Sequence, residues 1–150
     1  MLKKYYRVGF DVWGLILFLS IMLPNFVWFA VPAPNDILRA ESVTKITDVI
    51  GSVCQVAMVA ALCVLIHKES KKIRTTPLIL AVIGCCLLYY LCWILYYTGI
   101  TNEAVILGMT VVPCLAFLFF ALDRKNGIAL IPIAGFTVCH VIFGVVNFLL

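Results

Sequence analysis

Hydrophobic positions in this chain run together instead of alternating with polar ones, in five stretches separated by short polar connectors: residues 10–31, 47–66, 77–98, 104–122 and 128–150. At 1.5 Å rise per residue, about 19 to 23 apolar residues in helical form cross the roughly 30 Å hydrocarbon core of a bilayer. Irregular chain or an open sheet would leave backbone groups unpaired in lipid, so each stretch is predicted to be a helix. The predicted fold is all-α: a polytopic integral membrane protein with five transmembrane helices in one bundle, a single domain over residues 1–150. No internal repeat or low-complexity tract interrupts it.

Charge adds an orientation. Nine of the 11 basic residues, Lys3, Lys4, Arg7, Lys68, Lys71, Lys72, Arg74, Arg124 and Lys125, fall at one set of helix ends, and only Arg39 and Lys45 fall at the other. Basic connectors stay on the cytoplasmic side, so the N-terminus is expected inside and, after five spans, the C-terminus outside. Composition agrees with full immersion: 65% of residues are hydrophobic, 12% are charged, and the mean hydropathy is +1.15. The net charge of +4 follows from the basic end and gives no reason to expect nucleic acid as a partner. The basic connector from His67 to Arg74 could attract anionic head groups at about 1 kcal/mol per basic residue. "MLKKYYR" ahead of an apolar run imitates a secretory signal, with "VPA" at 31–33 resembling its cleavage site. Pro34 directly after that site and the length of the run favour a retained first helix. The expected location is a plasma membrane, in the style of a bacterial protein.

With that orientation, offsets along each span convert to depth. On the second span Asp48, Ser52 and Gln55 form one stripe, spaced i, i+4 and i+7, with Gln55 about 12 Å below the outer end. On the fifth, Thr137, His140, Gly144 and Asn147 share a face, with His140 also about 12 Å down. Asn25 and Thr110 come out at a similar level, and Tyr89 of the third span meets it from the other side. Polar groups therefore concentrate in the outer half, and polar side chains within a membrane normally face a bundle interior or water. The stretch "MLPNFVWFAVPAPND" belongs to the same pattern. Pro24 cannot donate to the carbonyl of Ser20, so the first helix is expected to bend there. Pro32 and Pro34 then stop it, and Asn35 or Asp36 could cap an amphipathic outer segment, "DILRAES", that lies as a lid through Ile37, Leu38 and Val43. Tyr96 and Tyr97 read as an interfacial belt, with Tyr90 turned away. Ala57, Ala60, Ala61, Ala81, Gly84 and Cys85 offer close helix or subunit contact.

Several chemistries fit poorly. All seven cysteines lie within spans and none forms C-x-x-C, so they read as small packing residues. His140 is the one histidine inside a span; His67 sits at the basic edge, where a solvated position is expected, and no paired metal-ligand spacing occurs. Ser52, His140 and Asp48 supply the residue types of a hydrolase without a nucleophile elbow. No phosphate-binding glycine motif is present. In size alone the chain resembles the tryptophan-rich sensory proteins, which bind porphyrin-like and lipid ligands; Trp13, Trp28 and Trp93 match no motif of that family, and no residue role is carried over. The expected function is binding or transport of a small molecule or ion in an outward-facing pocket of Asn25, Trp28, Asp48, Ser52, Gln55, Tyr89, Thr110, His140 and Asn147. No cofactor is identified, and the chain leans away from an enzyme. The expected partners are the bilayer, a small-molecule or ion ligand, and a second copy or another membrane protein. Two alternatives stand beside this: an enzyme acting on lipid or isoprenoid substrates with His140 and Asp48 as acid and base, and an accessory subunit of a larger complex.

Overall fold

The computed structural model describes residues 2–70 and 73–150; Met1, Lys71 and Lys72, the last two counted above at the basic end, lie outside the described residues. Five helices form along the five apolar stretches: α1 Val12–Ala30, α2 Lys45–Val64, α3 Pro77–Tyr97, α4 Glu103–Asp123 and α5 Gly127–Phe148. Each is long and apolar enough to span a membrane, and the chain is a multi-pass membrane protein built as a helical bundle. Polar side chains start four of them. Asp11 accepts from the Trp13 amide, Thr76 from Ile79, Asn102 from Val105 and Asn126 from Ala129.

One end departs from an all-helical reading. Leu65 and Ile66 were expected in the second helix but belong to strand β2, Leu65–His67, antiparallel to β1, Tyr6–Val8. The pairing resolves a specific problem, the carbonyls left open where α2 stops. Gly9 donates to Val64 O, Asp11 to Cys63 O, and the buried Asn126 amide to Ala61 O and Leu65 O. Arg124 closes the same end by pairing with Asp11 at 2.8 Å, both groups largely buried. His67, expected in solvent, is half-buried and lies between the rings of Tyr5 and Tyr6.

α4 forms the centre of the bundle. It packs on α3 and α5, α2 packs on α5, and α1 makes much the lightest contact with the rest. Close approach depends on glycines, several of which meet cysteines or backbone across a seam. A Cβ on Gly51 would lie 3.1 Å from Cys139 Cβ, one on Gly135 2.8 Å from Cys54 Sγ, and one on Gly14 2.8 Å from Leu62 O. The cysteines are free thiols acting as compact fillers, as the sequence suggested. The small-residue face proposed for contact is otherwise placed. Ala57, Ala60 and Gly84 are exposed and nothing lies within 4 Å of a Cβ built on Gly84, so those positions are not the seams within this bundle.

α1 and α2 touch near the basic end, at Gly14 and Leu62, and contact is sparse along the rest of α1. Residues 31–44 form a strap joining their far ends. The predicted lid helix is only a single 3₁₀ turn, Ile37–Arg39. Ile37 and Leu38 pack against the core while Val43 is 75% exposed, so the amphipathic pattern holds for two of its three residues.

Candidate functional site

Between α1, α2, α4 and α5, on the strap side, lies a cavity of 300 Å³. Its wall brings together six of the residues picked from the sequence: Asn25, Asp48, Ser52, Gln55, Tyr89 and His140. Gln55 and His140, on antiparallel helices, face the same space. A second cavity of 140 Å³ shares Asn25, Tyr89, His140 and Phe143 with the first and adds Trp28 and Thr110. Eight of the nine candidate residues therefore line one of two adjoining spaces. Asn147 lines neither. Its side chain accepts from the Val43 amide at 2.8 Å and donates to Thr44 Oγ1 and Phe143 O at 2.9 Å, which ties the end of α5 to the strap.

Two polar groups of the larger cavity, Gln55 and His140, are not satisfied by the others. Among the described residues Gln55 Nε2 reaches only Met22 Sδ, at 3.9 Å. The His140 ring stacks between Phe136, centroid distance 4.9 Å, and Phe143, 6.2 Å, and no hydrogen-bond partner is found for it among the described residues. Asn25 donates to Tyr89 OH at 2.9 Å and to Ile21 O at 3.2 Å, the one direct bond between candidates on different helices. Ser52 returns its hydroxyl to Asp48 O, four residues back. Thr110 does the same with Ile106 O and packs on Gly144, where a Cβ would lie 2.5 Å from its Oγ1. The Asp48 carboxylate accepts from Ser42 and Thr44 of the strap, and it has no basic partner among the described residues.

Two assignments by helix face need correction. The cavity face of α5 runs through Phe136, Cys139, His140 and Phe143, about one residue step round from the face of Thr137, His140, Gly144 and Asn147. Gly144 faces α4 because close packing requires it there, and Thr137 bonds back to Ile133 O. The aromatic lining, Phe29, Phe117, Phe136 and Phe143, was not singled out from the sequence. Its signal was the i, i+4, i+7 spacing of residues 136, 140 and 143 around His140.

Tyrosines read as belt or bystander residues hold the site's rim. Tyr96 is fully buried and donates to Asp36 Oδ1 at 2.9 Å, while Tyr97 donates to Val31 O at 2.6 Å. Asp36 does not cap the 3₁₀ turn with its side chain; instead it gathers Trp28 Nε1 at 2.8 Å, Arg39 Nε at 2.7 Å and Tyr96. Arg39 also lies over the Trp28 ring, 4.9 Å from its centroid. Burial raises the Asp36 carboxyl, and the hydrogen bonds from Trp28, Arg39 and Tyr96 outweigh that, so its pKa falls below the ordinary aspartate value. Tyr90 is not turned away: its hydroxyl donates at 2.7 Å to Ser20 O, the carbonyl that Pro24 leaves without a helical donor. Trp93, in the smaller cavity's wall, is buried, and no hydrogen-bond partner is found for its Nε1 among the described residues.

Comparison with known proteins finds no family model, curated protein or solved structure that matches this chain. Any functional reading therefore rests on this geometry.

Proposed function

We propose that the chain is a binding protein of the plasma membrane that takes a small amphipathic molecule into the cavity beneath the strap, with transport as its role if copies or partners complete a path. The basic end lies in the cytoplasm, so the cavity belongs to the outer half of the membrane. The observation that carries this reading is that Gln55 of α2 and His140 of α5 face a shared space without pairing across it. Interhelical packing contacts would spend those groups on each other. A volume of 300 Å³ lies at the small end of the range for small-molecule sites, and its mixed lining suits a ligand with one polar end. Phe29 and Ser52, both in the wall and both exposed, mark an opening between α1 and α2, which gives entry from the side.

The test is recovery of the ligand. Protein purified gently and extracted with organic solvent should release an amphipathic compound in about stoichiometric amount, and Gln55→Leu and Asn25→Leu should reduce that amount several-fold while the protein stays folded. Equal recovery from the variants and the parent would place the compound on the outer surface and defeat the proposal. Reporters fused after Leu150 and at Arg74 should read outside and cytoplasm respectively; the reverse would place the cavity in the inner half.

A further inference from the structure

The larger cavity carries one formal charge and five carbocyclic aromatic rings. Asp48 supplies the charge, and Phe29, Tyr89, Phe117, Phe136 and Phe143 the rings; no Lys or Arg is in the wall. At the strap end both basic side chains are already engaged, Arg39 with Asp36 and Lys45 with Glu41. Ser42 and Thr44 hold the Asp48 carboxylate by donating to it, which fixes its position without neutralising its charge.

From this lining we propose that the cavity selects a hydrophobic organic cation, an amine or quaternary ammonium with apolar or aromatic substituents, using Asp48 as counter-ion and the ring cluster as its cage. The inference rests on the binding function proposed above and names the class of ligand. Ring faces are the negative part of an aromatic quadrupole and attract a weakly hydrated cation, most strongly where water is excluded. The Phe136, His140 and Phe143 rings line one side of the cavity as a near-parallel stack, with interplanar angles of 19° and 8°. An anion would meet a carboxylate and no compensating cation. A metal ion would need about six converging oxygens, and this wall offers mostly carbon.

Three probes of matched bulk separate the possibilities: radiolabelled tetraphenylphosphonium, tetraphenylborate and tetraphenylmethane, each titrated onto the full chain in lipid nanodiscs, with empty nanodiscs subtracted. Saturable binding of the phosphonium is expected, with the borate and the neutral compound at least about tenfold weaker. Benzyltrimethylammonium should compete, and sodium should not compete beyond its effect on ionic strength. Asp48→Asn should weaken phosphonium binding about tenfold and Asp48→Glu should restore most of it. Phe136→Leu, which leaves the strap bonds alone, should weaken it several-fold. Unchanged melting temperatures for these variants exclude loss of fold as the cause. Equal binding of all three probes, or no effect of Asp48→Asn, would overturn the cation proposal while leaving a binding cavity in place. Absence of saturable binding by any probe would overturn it too, while ligand recovery from the purified protein, described above, decides separately whether the cavity binds anything.

Discussion

Pro24 shows how one residue sets up a contact between helices. Its ring removes the donor for Ser20 O, and in lipid that carbonyl needs a replacement, which Tyr90 provides from α3. The need for a partner could be read from the sequence, because proline always lacks the donor. The identity of the partner could not, because it depends on how α3 is rotated against α1. Tyr90→Phe should destabilise the chain by about 1–3 kcal/mol, the usual consequence of stranding a buried polar group. In a Pro24→Ala background the helix supplies its own N–H to Ser20, so the same tyrosine change should then cost little. Equal costs in the two backgrounds, measured by thermal or denaturant unfolding in detergent, would show that the Tyr90 hydroxyl stabilises the chain independently of the donor that Pro24 removes.

Among the elements, the strap and α5 were the hardest to read. The five apolar runs give the helices almost directly, with ends displaced by a few residues. The strap has no period to read, since its order comes from Trp28 just before it and from side chains distant in sequence, Tyr96, Tyr97 and Asn147. Asp36 is its hub. Because the folded pKa of Asp36 lies below its unfolded value, the stabilisation is present above the ordinary aspartate range and is lost as pH falls through the lowered value. Amide-hydrogen protection of residues 31–44 is therefore expected to hold at neutral pH and to fall under acid conditions, relative to the α4 core. Asp36→Asn should lower that protection at neutral pH and remove most of the acid dependence. Protection that is identical in parent and variant would mean that the prolines and the Asn147 contacts hold the strap without Asp36. On α5 the error was one of rotation. Glycine at 144 looks like a pocket residue on a helical wheel, but its small size serves the close contact with Thr110.

Across the whole molecule, a light α1 and a tightly packed α2–α5 core leave the cavity that the polar residues share. Depth counting from opposite helix directions brought Gln55 and His140 to one level, and in the folded chain they line one space with Tyr89. That much was legible because helix rise is fixed and lipid tolerates few unpaired polar groups. The aromatic cage was not, since phenylalanine is ordinary in any membrane helix and only packing distinguishes cavity from lipid contact. Whether the space holds water and admits solutes from outside can be read at position 55. With the native cysteines replaced, a Gln55→Cys chain in intact cells should react with a small membrane-impermeant thiol reagent added outside. A bound cavity ligand should slow that reaction, and a cysteine at lipid-facing Val56, 71% exposed, should stay unreactive. A cysteine at 55 as inert as the one at 56 would contradict a solvent-accessible outer cavity and leave Gln55 and His140 as dry packing residues.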